Sequence, residues 1–254
     1  MSFIFLKADL ITEANDLYKF IQTNPDAGQQ AQAWRDLWRR YRGAAISVLL
    51  ADADRSTFFN HLKQSARARI HYLQQIAQGN LPINHITCAS VLEPYFDALI
   101  AGDDALTAEI SRLSPRQWLE SDEFEDDFCY AQFLFSYIYN NFRVEETSLE
   151  LLERFETALE GGESARLDMC KALCNANEDE FNGCLQALHM EWLEFYQEKN
   201  SRLPWKDWMF LTEKALFMEG LALLSIADRL GFHTEREYSH MPGIARLGIT
   251  NTIG

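Results

Sequence analysis

DFCYAQFLFSYIYNN, residues 127–141, is the most apolar stretch of the chain, and its reading decides the fold. A helix of this composition is apolar nearly all round, so it belongs at the centre of the protein with other elements covering it. Outward from it in both directions, apolar residues recur at helical spacing through nearly every segment. Gly and Pro are sparse, and long stretches hold neither, which favours helices over a turn-rich β protein.

Leu10, Ala14, Leu17, Tyr18 and Ile21 predict a first helix over about 8–22, stopped near Asn24-Pro25 because proline disfavours helix in the residue before it. A second is predicted from about Ala27 through Trp34, Trp38, Ala45 and Leu49. A third, capped by Asp52 or Asp54, runs to the turn at 79–82. A fourth is predicted over 85–101, with a kink or break near 92–93 forced by Pro94. Gly102-Asp103-Asp104 reads as a stop followed by a cap, opening a short helix to Leu113. Ser114-Pro115 places a further cap before a proline at a first helical position.

Beyond the central helix, Thr147 and Glu150 match a capping box for a helix through Leu151 to Leu159 that stops at Gly161-Gly162. Another follows over 164–175. Asn177 caps the next, whose apolar face is Phe181, Leu185, Leu188, Trp192, Leu193 and Tyr196, and a last long helix is predicted over 205–230, ending at Gly231. About ten helices with short turns leave no room for a sheet. The predicted class is all-α, with helices packed as antiparallel pairs in a compact or irregular TPR-like array, although no 34-residue repeat is present. With 47% apolar residues the chain can bury a substantial core, and a single domain over 1–254 is expected, with 1–115 and 116–254 as its natural subdivision.

The charge is distributed very unevenly. Residues 120–200 carry 20 Asp and Glu against 5 Lys and Arg, while the other residues hold 18 of each and cancel. A one-signed field of this kind attracts a cationic partner; it also keeps a protein soluble, and the concentration of the charge favours the partner. The densest part, Glu120, Asp122, Glu123, Glu125, Asp126 and Asp127, is interleaved with Phe124, Phe128 and Tyr130. Aromatics have no place in a purely solvating run, so Glu120, Asp122, Glu123, Phe124, Glu125, Asp126, Asp127 and Tyr130 are the candidate partner-binding residues.

Other functions find little support. There is no Walker lysine loop, GxGxxG, HExxH, GxSxG or paired CxxC, which lowers the expectation of an enzyme. Five cysteines without an export signal read as reduced thiols. Cys170 and Cys174 share a helical face, but no nearby pair completes a metal site, so they read as small hydrophobes, and neither metal nor cofactor is expected. The carboxylate runs lack the spacing of an EF-hand loop. Residues 34–69 hold eight bases against three acids, among them Arg35, Arg39, Arg40, Arg42, Arg67 and Arg69. Against a pI near 4.8 these are expected to pair with the acidic third rather than to read nucleic acid. The first residues lack a basic n-region and no apolar run reaches about 18 residues, so a cytoplasmic, non-membrane protein is expected.

Three segments resemble the immunity protein 49 (Imm49) family, helical antidotes encoded beside polymorphic bacterial toxins. FDALIAGDDALTAEISRLSP at 96–115 is similar to the family's Gly-Asp helix turn and short helix. NANEDEFNGCLQALHMEWLEFYQE at 175–198 resembles its D-x-x-x-F-x-x-x-L segment and aromatic-rich helix. GLALLSIADRLGFHTEREYSHMPGIAR at 220–246 resembles its terminal Ala- and Leu-rich helix and the element after it, with Gly231, Glu235, Glu237, Tyr238, Ser239 and Pro242 in the pattern and Met241 where an aliphatic residue is more usual. The resemblance implies a stoichiometric, non-catalytic inhibitor of a cognate toxin. A basic nuclease acting in the cytoplasm best matches the charge. The other readings are a helical adaptor that binds a peptide or helix in a groove, and a metal-dependent helical enzyme.

Overall fold

Ser2, Asp26 and Asp54 each accept a hydrogen bond from a backbone N–H two or three residues on, and each opens a helix: α1 (Phe3–Thr23), α2 (Ala27–Asp52) and α3 (Arg55–Ala77). The Ser2 cap carries α1 upstream of its predicted start at 8. The computed structural model describes residues 2–203 and 207–248. Eight further helices follow: α4 (Glu93–Ile100), α5 (Asp104–Leu113), α6 (Glu125–Tyr139), α7 (Glu146–Ala158), α8 (Ala165–Cys174), α9 (Glu178–Arg202), α10 (Trp208–Glu213) and α11 (Met218–Leu230), with a 3-10 turn at Gly243–Ala245. The described residues contain no strand, so the fold is all-α.

The first three helices run antiparallel. Lys7 near the start of α1 pairs with Asp52 at the end of α2, and Arg40 reaches Glu13 at 2.5 Å. Between α2 and α3, Trp34 meets His71 and Tyr41 stacks on His61. As the sequence predicts, α6 lies at the centre: Phe128, Cys129, Ala131, Phe133, Leu134, Phe135 and Tyr137 are all buried. The principal apolar cluster around it draws on α2, α3, α4, α8, α9 and α11. Each fully buried side chain of this size stabilises the fold by about 1.5–3 kcal/mol.

Four predicted boundaries are corrected. Residues 85–92 are turns, not helix, because the buried Arg69 guanidinium donates to the carbonyls of Ile86, Thr87 (3.1 Å) and Cys88 (2.9 Å), which a helix would use for itself; helix begins only at Glu93, with Pro94 in its first turn. Ser114 ends α5 instead of opening a new helix, and the Pro115 carbonyl is taken by the Gln132 side chain at 2.8 Å. The start of α7 is a reciprocal pair between Glu145 and Ser148, two residues before the predicted Thr147–Glu150 box. The last long helix is two helices: the Phe217 N–H donates to the His240 carbonyl at 2.8 Å and not to a carbonyl one turn back, which separates α10 from α11. Its predicted start at 205 lies outside the described residues; Asp207 caps α10.

One buried polar knot joins the N-terminal helices to the rest. Arg42 of α2, only 4% exposed, donates to Asp97 of α4 at 2.6 Å, to the Glu93 carbonyl at 2.8 Å and to Glu213 of α10 at 3.1 Å. Asp97 also accepts from Ser65 of α3 at 2.6 Å. Burial alone would lower the Arg42 pKa, but Asp97, Glu213 and Glu93 outweigh it and hold the guanidinium protonated. Removing one partner of such a group strands buried charge, so Arg42→Ala is expected to destabilise the protein by about 3–5 kcal/mol in urea unfolding. The apolar double variant Arg42→Met/Asp97→Leu should lose clearly less; an equal or larger loss would show that packing, not stranded charge, sets the penalty.

Candidate functional site

The acidic turn before α6 is partly structural. Glu123 points inward and accepts from the Ser90 N–H at 3.0 Å and the Leu119 N–H at 3.3 Å, while its carbonyl accepts from the Trp118 indole at 3.0 Å. Glu125, Asp126 and Asp127 form the first turn of α6, whose cap residue Phe124 supplies no side-chain acceptor; their charge offsets the positive end of the helix dipole. Glu125 is held by Arg154 at 2.6 Å and Asp127 by Arg166 at 2.8 Å. Tyr130 is fully buried: its ring lies beneath the Arg166 guanidinium, 5.0 Å away, and it supports the surface from behind. Glu120, Asp122, Phe124 and Asp126 remain accessible, with Phe124 77% exposed.

The fold brings this turn against α9. A groove of about 530 Å³ runs between the start of α6, the α7–α8 connection and α9; Asp126, Asp127, Glu163, Glu191 and Glu219 contribute its carboxylates, and Trp192, Phe195 and Phe217 its aromatic surface. It continues, through the shared residues Asp127, Arg166, Trp192, Phe217 and Glu219, into a cleft of about 390 Å³ beside Arg39, Glu93, Tyr196 and Glu213. The outer residues of the Arg42 knot thus form the far wall of the same depression.

Among the described residues, Arg166 is the one cation that lines the acidic part of the groove. It binds Glu219 with two hydrogen bonds, at 2.9 and 2.8 Å, and Asp127 with a third. Burial would lower its pKa, but Glu219 foremost, with Tyr130 and Asp127, raises it. Asp127 is pushed up, first by burial and then by Asp126, Glu219 and Glu123, against the pull of Arg166. Asp126, Glu163 and Glu191 have no ion-pair partner among the described residues.

The aromatic wall comes from the part of α9 that sequence periodicity assigns to the core. Phe181, Leu185 and Leu188 are buried as predicted, but Trp192, Leu193 and Tyr196 are only half covered and Phe195 is 54% exposed. Phe217 covers one side of Trp192 and Phe210 one side of Tyr196, and the rest of this surface of the helix stays open. The alternation of Glu191, Glu194 and Glu198 with these aromatics was the available signal that they face a boundary with water. His189 and His240, 3.2 Å apart and packed against Trp192 and Phe217, tie the C-terminal segment to this wall. Both imidazoles are pushed below their ordinary range by burial, His189 also by its neighbour.

The described residues contain no group of three or more His, Cys, Asp or Glu side chains placed to hold a metal ion. Burial raises the Cys170 and Cys174 thiols, and burial with Glu123 and Asp122 pushes Cys88 up to about 12, which disfavours the thiolate form that acts as a nucleophile or metal ligand. Within the basic strip, Arg42 and Arg69 are buried, Arg39 is held by Glu93 and Arg40 by Glu13. These partners correct one expectation, because none lies in the acidic third.

The profile of the Imm49 family, described as immunity protein 49, matches residues 24–243, from the turn before α2 to the 3-10 turn. The chain belongs to the immunity protein 49 family. The Imm49 match covers every helix that lines the groove, and membership implies binding to a cognate toxin. No curated protein and no solved structure matches the chain. Among the described residues no helix is long and apolar enough to cross a membrane.

If Arg166 is what holds Asp127 and Glu219 together, Arg166→Met should lower stability by about 1–2 kcal/mol at low salt, a value reduced from the buried-pair figure because the side chain is partly exposed. Raising sodium chloride to about 0.5 M should recover part of that loss by screening the two carboxylates. Thermal unfolding at the two salt concentrations checks it; a loss independent of salt would assign the effect to packing.

Proposed function

We propose that this Imm49 protein neutralises its toxin by seating a basic surface of the toxin on the groove along α9, and that the toxin is a cytoplasm-acting enzyme of the nuclease type whose cationic active site is thereby occluded. The observation that carries this reading is the convergence of Asp126, Glu163 and Glu191, which have no ion-pair partner among the described residues, on the partly exposed aromatics of α9. Unscreened charge of one sign accelerates encounter, and partly covered aromatic side chains supply the short-range affinity that slows release. Glu120, Asp122 and Phe124 extend the same acidic surface beyond the start of α6. The two effects divide between rate constants, since peripheral charges act mainly on association and buried anchors mainly on dissociation.

The product of an adjacent toxin-like reading frame is the partner to use. Co-expression with this protein should rescue growth of cells making that toxin. Changing Asp122, Asp126, Glu163 and Glu191 to Lys should slow association about tenfold or more at low salt, whereas reversing Glu146, Glu150 and Glu153, exposed on α7 away from the groove, should change it far less. Phe195→Ala should mainly raise the dissociation rate. Stopped-flow association that is insensitive to the groove reversal, or equally sensitive to both sets, would refute the groove as the binding surface.

A further inference from the structure

At the end of α6 opposite the acidic turn, a cavity of about 510 Å³ opens between α4, α5 and α6. On α6 the cavity takes Phe135, Ile138 and Tyr139 and the groove Asp126 and Asp127, a separation of roughly 12–20 Å at about 1.5 Å per residue. Tyr95, Phe135, Ile138 and Phe142 form its apolar wall, and Tyr95 meets Phe135 edge to face with ring centroids 4.7 Å apart. The volume falls within the range of small-molecule sites, about 300–1,000 Å³.

Two features of the lining are left unexplained by packing. Ser111 of α5 is 3% exposed, yet its hydroxyl has no hydrogen-bond partner. Buried helical hydroxyls commonly donate one turn back, as Thr107 does to the Asp103 carbonyl at 3.0 Å and Ser47 to the Gly43 carbonyl at 2.8 Å. Ser111 makes no such bond, so a polar atom is held unsatisfied against the cavity. The second feature is Phe142, whose φ of 62° lies in the left-handed region that bulky residues avoid. Its N–H donates to the Tyr137 carbonyl at 2.8 Å and its ring packs edge-on to Tyr137, so the strained turn is held in place with the ring as part of the wall. At the mouth Arg229 and Asp104 pair at 2.7 Å and neutralise each other, so the entrance selects neither sign of charge.

We propose that this cavity binds a small, neutral, planar aromatic molecule with one polar group on its edge, the ring lying among Tyr95, Phe135 and Phe142 and the polar edge meeting the Ser111 hydroxyl. The site is separate from the toxin-binding groove, and its occupancy does not depend on the toxin.

The test titrates indole, and its isostere indene that lacks the N–H, into the full-length protein labelled with ¹⁵N, reading backbone amide shifts. Indole is expected to produce saturable shifts centred on Ala108, Ser111 and residues 135–142, and to bind several-fold to about tenfold tighter than indene, the difference one hydrogen bond makes. Ser111→Ala should abolish that preference, and Ala108→Trp, at an exposed position on the mouth, should abolish saturation. Absence of saturable shifts, shifts centred elsewhere, or an indole preference that survives Ser111→Ala would overturn the proposal. Should Ala108→Trp fail to fold, the wild-type shift map and the Ser111→Ala comparison decide.

Discussion

The Arg42 knot is the constraint on which the arrangement depends. An apolar core alone would hold α1–α3 against the rest of the molecule in several registers, because greasy contact is not directional. A buried guanidinium is directional: Arg42 is satisfied only when Asp97, the Glu93 carbonyl and Glu213 stand at their observed positions. That requirement fixes α4 against α2 and brings α10 to the same point. It thereby sets where α11 begins and where Phe217 and Glu219 enter the groove. Stability and the shape of the binding surface share one origin.

The knot also explains how so much negative charge survives on one region. The basic strip at 34–69 would neutralise the acidic third if the two met, but Arg39, Arg40, Arg42 and Arg69 are committed elsewhere, to Glu93, Glu13, Asp97 and Glu213 and to backbone carbonyls of the 86–88 turn. Inside residues 120–200 the cations that form ion pairs, Arg154, Arg166 and Lys171, belong to the same region. Among the described residues only Arg202 on Glu198 and His233 on Glu178 reach in from beyond it. Folding therefore leaves the regional excess of negative charge largely intact. A field of that kind has its main effect at a distance, on the rate at which a cationic partner arrives.

The central helix was legible because periodicity reports burial directly, and Phe128 to Tyr137 are buried as their composition requires. Caps were legible where one local hydrogen bond decides them, at Asp54, Asp103 and Asn177. The misses are places where a distant residue takes a backbone group. Arg69 captures the carbonyls of 86–88, and His240 supplies the acceptor for Phe217. No local pattern encodes either contact. The site divides in the same way. The acidic turn stood out by composition, but the inward positions of Glu123 and Tyr130 follow from tertiary packing. Trp192, Leu193 and Tyr196 read as core because periodicity identifies an apolar stripe without saying whether anything covers it.

A neutral account remains for each part separately: acids at a helix start offset its dipole, and half-covered aromatics occur on many surfaces. What neither explains is their meeting in one groove in a protein of a toxin-binding family. The measurement that tests this most directly is hydrogen–deuterium exchange of the protein with and without its toxin. The account predicts new protection concentrated at residues 120–128, 159–167 and 189–197, with α1 and α3 unchanged. Protection confined to α1–α3, with those three segments exchanging as in the free protein, would contradict it.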